Sequence, residues 1–151
     1  MKYVLLVLAS TLALGGCANQ AGAKMGLLTT TMPVVAMVAG DLYTGQSVSY
    51  IDGRGIFKLK SSSTPERECT GDFHYESERL GIGEIECSGG TRATFQFRAL
   101  STLTGYGFGR ARQGEVTFAY GMTAEQSEPY LRLPSGKKLR RVDTALSLTD
   151  G

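Results

Sequence analysis

Asp72, His74 and Glu76 stand two residues apart, and Glu84 and Glu86 repeat that spacing ten residues on. Residues two apart on a strand point to one face. Two neighbouring strands would therefore gather four carboxylates and one imidazole, a donor set suited to a divalent transition metal. Against a metal, His74 is the chain's single histidine, and Arg92 and Arg98 on the next strand would neutralise the same face. Exposed ion pairs of that kind contribute at most about 1 kcal/mol. Hydrolytic chemistry finds less support, because no G-x-S-x-G elbow sets a serine beside His74. Cysteine catalysis is closed if Cys69 and Cys87 are bridged. The acids share one flat face instead of flanking a cleft, as glycoside cleavage requires. The run Gly105 to Gly114 lacks the lysine and helix start of a phosphate loop. No catalytic residue and no cofactor is assigned, and the reading is a non-enzyme.

Tyr106 and Phe108 interleave with Gly105, Gly107 and Gly109, so alternation puts both rings on the outer face. With Gln96, Arg98 and Arg110 they form an aromatic and basic patch, and exposed aromatics can mark a partner site. The competing reading covers these rings with the N-terminal apolar segment, the residues before it or the C-terminal tail. Tyr106, Phe108, Arg110 and Arg98 are the partner-binding candidates.

The elements beneath these residues read as strands and turns. From Gln46 onward, aromatic-bearing strands alternate with turns and with glycines two apart, within a total of 20 glycines. Asp52-Gly53 is a two-residue hairpin signal, which sets Tyr50 opposite Gly55 and Val48 opposite Phe57. Cys69 across from Cys87 sets Phe73 opposite Gly83 and Tyr75 opposite Gly81. A three-residue loop, Ser88-Gly89-Gly90, sets Ile85 against Ala93. Phe97 then meets Gly105, and a Gln113-Gly114 turn sets Phe118 on Gly109 and Tyr120 on Gly107. Aromatics landing on glycines is the arrangement called aromatic rescue. The inner face then holds Val48, Tyr50, Phe57, Leu59, Phe73, Tyr75, Ile85, Phe95, Phe97, Val116, Phe118 and Tyr120, and the outer face is charged. Such alternation belongs to antiparallel sheets with one solvated face.

The expected fold is mainly β, an antiparallel up-and-down meander of about seven strands. It is either a small barrel or a strongly curved sheet, with one short C-terminal helix. That helix begins near Ala124, behind a capping box from Thr123 to Gln126. Pro129 limits its length. Met32 to Ala39 is either a first strand or a packed apolar segment. The tail, with Lys137, Lys138, Arg140 and Arg141, reads as solvated, with contact to anionic lipid headgroups as the alternative.

The N-terminus carries an address. Lys2 precedes an apolar run from Tyr3 to Leu14, too short for the roughly 20 residues of a membrane span. It is followed by Leu14-Gly15-Gly16-Cys17. A charged start, short apolar centre and small-residue exit make a secretory signal. The exit resembles the lipobox of bacterial lipoproteins. That resemblance implies diacylglyceryl attachment at Cys17 and cleavage before it. Ala18 in place of aspartate implies, by the same resemblance, the periplasmic face of the outer membrane. The expected domains are a signal peptide at 1–16, a lipidated tether at 17–31 and a single β-domain at 32–151. With Cys17 acylated, Cys69 and Cys87 remain as a pair in an oxidising compartment, and one disulfide is expected. Removing Lys2 with the leader leaves 15 basic against 14 acidic residues. That near-neutral balance gives no case for nucleic acid, which needs a strong positive field.

Phe118 to Leu139 resembles small proteobacterial envelope lipoproteins of unknown function, a likeness that implies no activity. The functional expectation is a non-catalytic outer-membrane lipoprotein acting as an interaction or structural module. Its partner would be an envelope protein or a cell-wall polymer. The alternatives are a carrier of a small apolar ligand in the barrel interior, and a weak metal binder at His74.

Overall fold

A computed structural model describes residues 29–151. Eight strands form a closed antiparallel barrel: β1 (Thr29–Val38), β2 (Asp41–Tyr50), β3 (Arg54–Ser61), β4 (Glu68–Tyr75), β5 (Leu80–Cys87), β6 (Arg92–Ala99), β7 (Gly105–Ala111) and β8 (Gly114–Tyr120). Each strand pairs with its sequence neighbours, and β1 pairs with β8 to shut the sheet. Closure removes both exposed edges, the standing hazard of an open sheet.

β1 is the strand that the pattern from Gln46 onward does not supply. Met32, Val34, Ala36 and Val38 belong to the interior cluster, while Val35 and Met37 are buried in a second cluster outside the barrel. A strand buried on both faces reads as a continuous apolar run without alternation. That is why Met32 to Ala39 leaves strand and packed segment undecided in the sequence. β1 also takes in Thr29 to Thr31, the end of the segment assigned to a tether.

Phe97 is the hub of the interior. Its ring meets Tyr75 at 4.9 Å and Phe73 at 5.6 Å between centroids, both edge to face, and it also contacts Phe95 and Tyr120. Edge-to-face geometry suits the ring quadrupoles. Rings also cover glycines. A β-carbon at Gly55 would strike the Phe73 ring, one at Gly71 Phe57, one at Gly81 Phe97, one at Gly83 Phe95 and one at Gly107 Phe118. The same β-carbons would strike backbone carbonyls as well, so these glycines let a tightly curved wall close. Cys69 and Cys87 face each other across β4 and β5 and are joined by a disulfide.

Three registers differ from the sequence reading. The β2–β3 turn is a three-residue loop, Ile51-Asp52-Gly53. Gly53 alone has positive φ (79°), and its amide donates to the Tyr50 carbonyl at 3.1 Å. A two-residue Asp-Gly turn would need positive φ at Asp52 as well. Instead the Asp52 carboxylate accepts from the Arg54 amide at 3.1 Å. The register therefore slips by one. Ser47 and Ser49 face inward, and Val48 and Tyr50 move to the outer surface, opposite to expectation. The β6–β7 and β7–β8 registers each slip by two, which keeps the faces. Phe97 opposes Gly107, Phe118 opposes Gly107 from the other side, and Tyr120 opposes Gly105. The loop Ser88-Gly89-Gly90 and the pairs Phe73–Gly83, Tyr75–Gly81 and Ile85–Ala93 stand as read.

The C-terminal segment packs on the outside of the barrel. Thr123 caps a one-turn helix, α1 (Ala124–Ser127), in a full capping box with Gln126, and a 3-10 turn (Glu128–Tyr130) follows. The tail is ordered as a hairpin of β9 (Lys137–Val142) and β10 (Ala145–Asp150), not as the solvated end read from its charge. Leu131, Leu139 and Leu146 bury themselves against Val35, Met37 and Leu42 of β1 and β2. Lys137 is held by Asp150 at 2.7 Å.

Candidate functional site

The outer face of β4 to β8 forms an open trough. It runs from Asp72, His74 and Glu84 past Ile82 and Gln96 to Phe108, Arg110 and Thr117, with Arg132 of the C-terminal segment at its far side. Phe108 stands 60% exposed on β7, between Gln96 of β6 and Thr117 of β8. Strand alternation places it there, since Gly107 and Gly109 on either side turn inward.

Charge is divided across the trough. On the β4–β5 side the carboxylates of Asp72 and Glu84 occupy directly opposed positions. On the other side Glu115 receives Arg110 at 3.6 Å and Arg132 at 3.3 Å. The Arg132 amide also donates to the Thr117 hydroxyl at 2.9 Å, which fixes the C-terminal segment along β8. An aromatic ring between an acidic and a basic flank gives a surface that can orient a partner as well as bind one.

The four partner-binding candidates separate. Phe108 and Arg110 are exposed and adjacent. Tyr106 is half-buried, its ring stacked on Tyr130 at 4.5 Å and 23°, so the C-terminal segment covers it as the competing reading allows. Arg98 is exposed but lies at the Tyr106 level, opposite Leu80 on the other side. Cys17 lies outside the described residues.

Residues missed by the sequence reading extend the surface. Val48 and Ile56 oppose each other on the outer face of β2 and β3, with Ile56 49% exposed. Ile56 was legible, standing two and four residues before the outward Lys58 and Lys60. Val48 was hidden by the one-residue slip. Arg132 carries no local signal, since its place depends on how the C-terminal segment crosses β8.

The acidic hairpin face does not converge. His74 opposes Arg54 and Ile82, while Glu86 is paired with Arg92. Among the described residues no three His, Cys, Asp or Glu side chains are grouped to hold a metal ion. Inside the barrel about 40 Å³ stays free, lined almost wholly by apolar side chains. Small-molecule sites run to about 300 Å³ and more, so a ligand there would have to displace rings. Near one barrel rim the Tyr75 and Tyr120 hydroxyls meet at 3.4 Å. Burial, and then this contact, push the Tyr120 phenol far above its ordinary value. Comparison with family models, with curated proteins and with solved structures returns no match for this chain.

Proposed function

We propose that this chain is a non-catalytic lipoprotein, anchored through Cys17 to the periplasmic face of the outer membrane. There it acts as an interaction module for an envelope protein or a cell-wall polymer. The observation that carries the reading is Phe108, a large ring exposed on a closed barrel between the Asp72/Glu84 carboxylates and the Arg110/Arg132 pair. A barrel that fills its own interior has its outer surface left for recognition. Closure by β1 pairs every strand of that wall on both sides, and a backbone ordered in advance lowers the ordering cost of binding. The Cys69–Cys87 bridge suits an oxidising compartment.

The test places a photoreactive residue at Phe108 in cells and identifies what it captures by mass spectrometry. One reproducible envelope partner, lost when Arg110→Glu is added, supports the module. Capture of nothing by a folded chain removes this face as the site. Palmitate labelling tests the anchor separately: incorporation lost in Cys17→Ser supports it, and incorporation by neither form overturns it.

A further inference from the structure

The barrel has two rims of different chemistry. One carries the turns Ala39-Gly40, Ser62 to Arg67, Ser88 to Gly90 and Arg112-Gln113, none of which holds a large apolar side chain. The opposite rim carries Ile51, Leu100 and Leu103 in its turns and Leu80 at the start of β5, with 77%, 43%, 52% and 45% exposure. Exposed apolar side chains are ordinary when scattered. Here most of those among the described residues collect at one end of the molecule.

The loop that presents two of them is held in shape. Leu100 donates its amide to the Thr104 carbonyl at 2.8 Å, and the Ser101 hydroxyl accepts from the amides of Leu103 and Thr104 at 3.2 and 3.1 Å. The loop thus fixes Leu100 and Leu103 on the rim at the cost of leaving them in water. Thr29, where β1 begins, borders the same depression as Ile51, Leu100 and Leu103. The chain therefore enters the barrel at its apolar rim.

We propose that this rim seats in the phospholipid surface that holds the Cys17 anchor. The inference rests on the lipidation reading. Residues 18–28 separate Cys17 from Thr29, and a coil of that length has a root-mean-square reach of about 20 Å. Strands of eight residues tilted by about 40° set the rims about 20 Å apart, so presenting the opposite rim would use the whole of that reach, and the rim at Thr29 is the one favoured at the bilayer. Asp52, Glu76 and Glu78 balance Arg54, Arg79 and Arg98 around it. Charge attraction to anionic lipid is therefore not the driving force, and insertion of the apolar tips is. The Phe108 trough on the barrel wall would then face sideways, clear of the lipid.

The test uses the full lipoprotein isolated from membranes and reconstituted in phosphatidylcholine vesicles containing nitroxide-labelled acyl chains. Leu103→Cys and, on the other rim, Gln113→Cys each carry a polarity-sensitive fluorophore. The expected result is blue-shifted emission at Leu103, quenched several-fold more than at Gln113. The difference persists at high salt, where exposed charge interactions are screened, and shrinks when Ile51→Asp is added. Equal quenching at both rims in a chain that floats with the vesicles overturns the seating and leaves the anchor standing. Shielding at Leu103 that disappears on dilution to one chain per vesicle assigns the rim to a second copy and also overturns it. A chain that carries no acyl group and does not float overturns anchor and seating together.

Discussion

The ring of Phe97 lies against the inner face of Gly81, its cross-strand partner, where any β-carbon would collide with the ring. Each residue depends on the other. The ring covers backbone that glycine leaves bare, and the missing side chain gives the ring its place.

Phe97→Ala should cost about 3–5 kcal/mol, the range for a large aromatic removed from a packed core, read from the urea midpoint. Gly81→Ala should cost about 1–3 kcal/mol by overpacking. Combining Gly81→Ala with Phe97→Leu should recover only part of the loss, because the His74 carbonyl also occupies the space of the new methyl. Full additivity of the two changes would show that the ring does not exclude the methyl.

The disulfide should act on the unfolded chain. Cys69 and Cys87 lie 18 residues apart, and Cys69 is fully buried on the inner face. Replacing both by alanine should lower stability by about 3 kcal/mol in the chain-entropy account. Intact mass before and after reduction and alkylation establishes the bridge, and the denaturant midpoint measures its effect. A double variant as stable as the parent would show that hairpin pairing alone constrains this loop.

The β1–β2 turn stores backbone strain that can be released. Ala39 has φ of 50° and Gly40 of 86°, the pair of left-handed positions that a two-residue type I′ turn requires. Alanine in that region is disfavoured by roughly 1–2 kcal/mol, while asparagine adopts it readily. Ala39→Asn should therefore raise stability by about 1 kcal/mol and the melting temperature by a few degrees. Gly40→Ala should lower it by a similar amount through backbone strain alone, since no neighbour lies within 4 Å of the added carbon. Calorimetry reads both. A destabilised Ala39→Asn would mean that crowding of the larger side chain beside Gly114, not backbone conformation, governs the turn.

Most of the barrel was legible because a ring on every second residue and a glycine opposite it leave few alternatives of face. The disulfide pair, once opposed, fixed one hairpin completely. Register was legible only modulo turn type. Asp52-Gly53 fits both a two-residue and a three-residue turn, and the choice decides whether Val48 or Ser47 enters the core. No local feature near the turn separates them; the outcome, Phe57 between Ser47 on β2 and Gly71 on β4 with its ring over the glycine, is set by how three strands pack together. The C-terminal hairpin was obscured for a related reason. Leu139 and Leu146 are too sparse among charges to announce a strand until β1 and β2 offer an apolar outer face. The candidate surface was half legible, since alternation exposes both Tyr106 and Phe108 and only the path of the C-terminal segment covers one of them.

Alkaline pH should unfold the barrel through its buried phenols. Burial raises the pKa of both Tyr43 and Tyr120, helped by Asp41 at Tyr43 and by the Tyr75 hydroxyl at Tyr120. Each acid binds its proton more tightly folded than unfolded. Stability is thus complete below the unfolded value near pH 10 and declines as pH rises beyond it. Phenolate absorbance from Tyr43 and Tyr120 should appear only as the circular dichroism is lost. Tyr120→Phe should flatten the decline. Full phenolate absorbance at unchanged circular dichroism would mean the interior admits hydroxide without unfolding.

The two aromatics of β7 should answer differently to the same substitution, and the difference decides which of them is kept for binding. Tyr106→Ser removes the stack on Tyr130, worth about 0.5–1.5 kcal/mol beyond buried area, and loosens the segment that carries Arg132 to Glu115. It should lower the denaturant midpoint measurably. Phe108→Ser removes a ring that is mostly in water, and such surface changes stay within about 0.5 kcal/mol. It should leave the midpoint where it is and abolish partner capture at neighbouring crosslinking positions such as Gln96. A Phe108→Ser chain as destabilised as Tyr106→Ser would make the ring structural, packed on Gln96 and Thr117, and would remove the reason for reading the trough as a partner site.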